Sequence, residues 1–305
     1  MAHDHTPRVD DGSGKTRLIV VICITGSVLL AEVVGAAFSG SLALLADAGH
    51  MLSDLIGLII ALVATVVAAR PATQRHTFGY RRVEVFAALL NGVLLLAIAV
   101  SITIAAIERL VVPTAVEVAS GPLLVVAVIG LVANCVALLI LRPASTHTIN
   151  LRGAYLEVFG DFLGSVTAIV AGLVIWATGF MPADAIASLV IAAMIAPRAL
   201  FLLRDVFRVL SESAPVDTNI AEIREHVLRA PGVVDVHDVH VWSITSGQPV
   251  FSAHVVVEAA VFERGDTGAL LDRLDGCLAE HFDVAHSTFQ LEPETHAAHE
   301  GHRHD

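Results

Sequence analysis

The chain has 305 residues, 55% hydrophobic and only 16% charged, with a mean hydropathy of +0.75. Soluble domains carry about 25% charged residues, so an ordinary water-soluble enzyme is excluded and a polytopic membrane protein is indicated. The net charge of −12 argues against nucleic acid as a partner. Cys23, Cys135 and Cys277 are too scattered for a disulfide framework or a thiolate metal site.

Residues 1–16 form a polar tail with His3 and His5 and no apolar core of a cleaved signal peptide. Gly12-Ser13-Gly14-Lys15-Thr16 mimics the end of a phosphate-binding loop, but Val9 stands where the first glycine belongs, so it reads as a flexible linker. Six segments, near 17–38, 44–69, 84–108, 120–141, 151–177 and 183–203, approach or exceed the ~20 residues that cross a hydrocarbon core. They make a transmembrane domain over 17–208. Ser39-Gly40-Ser41, the stretch between Pro113 and Pro122, and Thr178-Gly179-Phe180-Met181-Pro182 read as tight connections. With the N-terminus inside, cytoplasmic segments hold Arg8, Lys15, Arg17, Arg70, Arg75, Arg81, Arg82, Arg142 and Arg152, and Arg198, Arg204 and Arg208 follow at the end of helix six. The outside connections hold only Arg109. This asymmetry predicts a multi-pass protein of the cell membrane with both termini cytoplasmic.

Residues 209–293 change character and read as a small soluble domain. Asp217 is placed to cap a helix running to Arg229, with Ile220, Ile223, Val227 and Leu228 on its apolar face. Strands follow at 233–244 and 250–258, then a helix near 266–281 and a strand at 286–292. The order α-β-β-α-β predicts an open sheet with helices on one face. Residues 294–305 are a second histidine-rich tail, with His296, His299, His302 and His304.

The chemistry lies inside the apolar segments. His50 and Asp54 are four residues apart in the second segment, and Glu157 and Asp161 repeat that spacing in the fifth. An i, i+4 pair shares one helix face. Ionisable groups within a bilayer are costly and mark ion or proton pathways. Two such pairs on facing helices can close a four-ligand shell of one nitrogen and three oxygens, which zinc accepts. Gly49, Gly57, Gly153, Gly160 and Gly164 would let the helices approach. Glu32, inside the first segment, is placed as a proton relay or a pore-facing group, and Asn91 and Asn134 as interhelical hydrogen-bonding residues. Simple hydrogen bonding between helices would explain one lone histidine but not two matched pairs.

Four stretches carry a resemblance. Ala46-Asp47-Ala48-Gly49-His50-Met51-Leu52-Ser53-Asp54 resembles the second-helix motif of the cation diffusion facilitator family, and 152–165, containing Glu157 and Asp161, resembles its fifth-helix motif. His76-Thr77-Phe78-Gly79-Tyr80-Arg81-Arg82-Val83-Glu84 resembles the second cytoplasmic connection, and Val236-His237-Asp238-Val239-His240-Val241-Trp242 the C-terminal domain. The resemblance implies a six-helix bundle, a metallochaperone-like cytoplasmic domain, a homodimer, and export of divalent metal, Zn2+ foremost, in exchange for protons. It also implies a regulatory cytoplasmic metal site at His237, His254 and Glu292; strict strand alternation would turn His240 to the other face from His237. A further ion site in some members uses the second connection, but Thr73 and Tyr80 stand at two of its positions here, leaving His76 mainly structural with weak metal contact. Zinc-exporting members usually have histidine where this chain has Glu157. The extra oxygen opens the site to Cd2+, Co2+ or Mn2+, so a broader-specificity exporter is the alternative. A membrane-anchored metal sensor would leave the intramembrane pairs unexplained, and a metalloprotease would need an HExxH that is absent.

Overall fold

The computed structural model describes residues 12–112, 117–142, 149–216, 218–245, 247–282 and 286–297. They fall into two compact units. One holds the described residues through Ile60 together with Leu90–Phe201; the other holds Ala61–Leu89 and the described residues from Leu202 onward.

Six long helices come first: α1 (Gly12–Ser39), α2 (Leu42–Ala68), α3 (Arg82–Val111), α4 (Ser120–Leu141), α5 (Ile149–Thr178) and α6 (Pro182–Leu210). The stretch read as a linker at 12–16 is instead the first turn of α1, and α6 runs past its expected end at 203 with Pro197 inside it. Two hairpins form because glycine tolerates the left-handed conformation that closes a helix. Gly40 (φ 66°) donates to the Ala36 carbonyl at 2.9 Å, and Gly179 (φ 69°) to the Ile175 carbonyl at 2.8 Å.

Within the described residues, five segments are long and apolar enough to cross a membrane: Val20–Ser39, Arg82–Val111, Ser120–Leu141, Tyr155–Thr178 and Pro182–Leu210. Helix α2, with Asp47, His50 and Asp54 in its first half, is not among them. Val125, Val132 and Leu139 of α4 face outward while Leu123, Ala127 and Leu141 face in. Apolar stripes on the outside suit acyl chains rather than water. The inner core joins Ala43, Leu44 and Ala46 of α2 to Leu95 and Ala99 of α3, Leu123 of α4, Ala168 of α5 and Ile191, Ile195 and Ala199 of α6. The many alanines allow close helix approach.

One end of this unit is fastened by Asp184, which is buried. Its carboxylate accepts from Ser41 Oγ, from the Leu42 amide at 2.7 Å and the Ala43 amide at 3.2 Å, and from Arg109 Nη1 at 3.1 Å. Arg109 Nη1 also donates to the Gly40 carbonyl at 3.0 Å. Helix N-termini leave amides unsatisfied; here a side chain from α6 caps α2.

In the second unit, Arg82 pairs with Glu212 at 3.0 Å, and Thr245 Oγ1 donates to Glu84 Oε2 at 3.3 Å. Helix α7 (Ile220–Leu228) is capped by Asn219, whose side chain accepts the Glu222 amide at 3.3 Å; Asp217 lies outside the described residues. Strands β1 (Val233–Ser243) and β2 (Pro249–Val257) are antiparallel, and β3 (His286–Pro293) joins β2 in parallel, in the order β1-β2-β3. The parallel pair needs a long crossover, which α9 (Thr267–Phe282) supplies after the short α8 (Ala259–Glu263). A last turn, α10, covers Glu294–Ala297. Phe251, Ala253, Val255 and Val257 alternate along β2 and pack with Ile223 and Val227 of α7 and Leu270, Leu274 and Leu278 of α9. Both helices therefore cover the same sheet face.

Candidate metal centres

Two clusters gather the candidate ligands. In the first, α2 carries His50 and Asp54 on one face, and α5 carries Glu157 and Asp161. His50 Nε2 stands 3.7 Å from Asp54 Oδ2 and 3.9 Å from Asp161 Oδ1. His50 and Asp161 are buried. His50 Nδ1, Asp54 Oδ1 and Asp161 Oδ1 have no hydrogen-bond partner. Unsatisfied polar atoms in an apolar interior are costly and call for an explanation. Glu157 and Asp54 share one guanidinium: Arg198 Nη2 donates to Glu157 Oε1 at 2.6 Å, while Nη1 donates to Asp54 Oδ2 at 3.2 Å. Arg198 belongs within α6, not at its end, and it is the residue of this cluster that sequence reading missed. The available signal was a lone charge amid Ala192-Ala193-Met194-Ile195-Ala196-Pro197 and Ala199-Leu200-Phe201.

Beside this cluster, Glu32 of α1 and Asp47 of α2 are each 1% exposed, with no basic partner among the described residues. A side chain at Gly130 would come within 3.2 Å of Glu32 Oε1, and one at Gly164 would collide with the Asp47 carboxylate. Gly164 thus admits Asp47 against α5, and Gly57 likewise admits Asn91 of α3 against α2. Gly160 has no such neighbour, and at Gly49 only Ile98, at 3.3 Å, is close. Asn134 donates to Ser165 Oγ at 3.4 Å, an interhelical bond of the kind expected.

The second cluster is in the sheet. His254 Nδ1 lies 2.7 Å from Glu292 Oε1, and His237 Nε2 lies 3.7 Å from Glu292 Oε2. The ligand atoms of His237, His254 and Glu292 all fall within 4.8 Å of one another, the only such group of three or more among the described residues. His237 and His254 are cross-strand partners, and Glu292 of β3 lies on the far side of β2. Gln290 donates to Glu292 Oε1 at 2.7 Å and fixes its carboxylate. Two histidines and a carboxylate make the three-ligand set of an open zinc site, with a fourth position free for another ligand.

His240 departs from the alternation argument. Asp238 takes a positive φ of 49°, and between the pairs His237–His254 and His240–Ser252 two residues of β1, Asp238 and Val239, oppose one of β2, Ala253. Cross-strand partners share a face, so this bulge returns His240 to the His237 side. It is nevertheless exposed and outside the three-residue group.

His76 is exposed in the connection between α2 and α3. Its ring stacks on Tyr80 with centroids 4.5 Å apart, and its amide donates to Thr73 Oγ1 at 3.1 Å. It shapes the turn. Of the tail histidines, only His296 is described, in α10; His3, His5, His299, His302 and His304 lie outside the described residues.

A helical membrane domain followed by a small α+β domain defines a multi-pass membrane protein, and the buried carboxylates and imidazole suit a carrier of cations. Residues 18–211 match the cation efflux transmembrane domain, and 215–294 match the cytoplasmic domain of cation efflux proteins. The zinc transporter ZitB of Escherichia coli is 41% identical over 96% of this chain and 93% of its own. The cation efflux system protein CzcD of an Alcaligenes species is 40% identical over 95% and 89%. The cadmium, cobalt and zinc/H(+)-K(+) antiporter of Bacillus subtilis is 38% identical over 97% and 93%. The chain belongs to the cation efflux family, the cation diffusion facilitators, and is a membrane transporter rather than an enzyme.

Proposed function

We propose that this chain exports Zn2+ from the cytoplasm in exchange for protons, and that the ion is held between α2 and α5 by His50, Asp54, Glu157 and Asp161. The observation that carries the reading is His50 Nε2 at 3.7 Å from Asp54 Oδ2 on its own helix and 3.9 Å from Asp161 Oδ1 on α5. In a tetrahedral zinc shell neighbouring ligand atoms lie roughly 3.3–3.6 Å apart, so a small inward shift brings His50 to shell spacing from both carboxylates. Under this reading α2 is the sixth crossing, residues 17–208 are the membrane domain, and both termini are cytoplasmic in the cell membrane. Zinc, cadmium and cobalt appear in the names of relatives; zinc ranks first, and the third carboxylate extends the range toward Cd2+, Co2+ and Mn2+.

The exchange follows from ligand chemistry. A ligating imidazole must be neutral and a ligating carboxylate ionised, so protons and metal exclude one another. Metal enters from the cytoplasm, the helices switch access, and protons taken up by His50 and the carboxylates expel the ion. Antiport in a relative's name supports an exchange of metal for protons. His237, His254 and Glu292 form a regulatory site of the cytoplasmic domain, residues 209–293. The match to a model for the cytoplasmic domain of cation efflux proteins supports a homodimer built there.

Zinc flux into proteoliposomes tests the assignment. His50→Ala and Asp161→Ala should each reduce it to the protein-free leak. Undiminished flux in both would remove the site from this position.

A further inference from the structure

Arg198 is a cation already seated on two of the four proposed ligands. We propose that it is a positioning residue of the transport site, a tethered competitor whose guanidinium holds Asp54 and Glu157 and must be displaced from them for the transported ion to bind. The inference rests on the ion site proposed above and adds what controls entry to it and release from it.

The geometry is specific. One guanidinium spans two helices, Nη1 to Asp54 on α2 at 3.2 Å and Nη2 to Glu157 on α5 at 2.6 Å. The shorter contact is in the range of a charge-assisted hydrogen bond, about twice as strong as a neutral one. Arg198 thus engages one oxygen on each of two proposed ligands, Asp54 Oδ2 and Glu157 Oε1. The other two ligands behave differently: His50 and Asp161 approach each other at 3.9 Å, and Asp161 has no hydrogen bond to Arg198. Asp54 bridges the division: its Oδ2 meets the guanidinium at 3.2 Å and His50 Nε2 at 3.7 Å, while His50 and Asp161 lie outside the hydrogen bonds of Arg198.

The division also accounts for charge. Three carboxylates around a neutral imidazole carry three negative charges, one more than a shell with histidine in place of Glu157. Arg198 offsets that excess. It does so on a flexible side chain that is 39% exposed, so it can withdraw as an ion arrives and return as it leaves. Its return would favour release alongside the protons taken up by His50 and Asp161, because Asp54 and Glu157 then exchange one cation for another and are never left bare in a low-dielectric interior. Arginine suits this role better than lysine, since its planar fork reaches two carboxylates at once.

The test uses the full-length protein in detergent, carrying His237→Ala and His254→Ala so that the cytoplasmic cluster does not contribute. Zn2+ is titrated against a fluorescent chelator. Arg198→Gln removes the competitor and should tighten binding about tenfold, the worth of one hydrogen bond to a charged group. In proteoliposomes the same variant should lower KM for Zn2+ and also lower kcat, because release loses its displacing cation. Arg198→Lys, which keeps the charge but loses the fork, should fall between the two and carries the test should the glutamine variant not fold. Zn2+ affinity that is unchanged or weaker in these variants overturns the proposal, as does a lower kcat without tighter binding, the result of a purely structural role. Asp161→Ala, which does not touch Arg198, separates the two readings. If it leaves Zn2+ affinity intact, the site assignment falls and the proposal with it; if it weakens binding while Arg198→Gln does not strengthen it, only the proposal falls.

Discussion

Under the proposed assignment of the transport site, Glu157 is the residue on which selectivity turns. It brings a hard oxygen where an imidazole would favour zinc, and Arg198 meets it at 2.6 Å. Glu157→His should narrow transport toward Zn2+, lowering the Cd2+-to-Zn2+ and Mn2+-to-Zn2+ flux ratios measured in the same vesicles. Unchanged ratios would show that ligand count does not set the preference. The two i, i+4 pairs were legible in the sequence because spacing alone puts them on common faces. Arg198 was not, since counting positive charge assigns any arginine near a helix end to the cytoplasmic side. Its partners are 144 and 41 residues away, a relation that only packing creates. His240 is a parallel case: alternation gives its side only when no extra residue intervenes, and the positive φ at Asp238 is invisible in a run of strand-forming residues.

At the level of elements, glycines and one aspartate set how α2 is held. Gly57 and Gly164 let Asn91 and Asp47 come against neighbouring helices, and both were among the small residues read as points of close approach. The Asp184 cap was not readable, because it links the start of α6 to the start of α2. Asp184→Ala should strip two amides and Arg109 of their shared acceptor and destabilise the helical unit by roughly 3–5 kcal/mol. Thermal unfolding in detergent would record this as a clear loss, and a variant as stable as the parent would remove the cap from any structural role. Helix positions were legible from apolar length. Their ends were not always so: charge and glycine at 12–16 suggested a linker where α1 has already begun, and Pro197 did not stop α6.

Taken whole, the molecule pairs a helical membrane unit with a sheet domain that has its own candidate site. If His237, His254 and Glu292 bind Zn2+, the ion should stabilise the cytoplasmic domain of an Asp161→Ala chain by about 2.7 kcal/mol at a hundredfold excess over Kd. His237→Ala should abolish that gain in a metal-dependent thermal shift; a gain that persists would place the ion elsewhere. The order α-β-β-α-β was legible from periodicity and turn residues, while the parallel pairing of β3 with β2 depends on how α9 carries the chain across the sheet. The Asp184 cap has a consequence for how the protein is made. Synthesis runs from the N-terminus, so α1 and α2 leave the ribosome with the Leu42 and Ala43 amides still lacking the acceptor that arrives 142 and 141 residues later. The first hairpin is therefore made unfinished, and the arrival of α6 completes the first turn of α2.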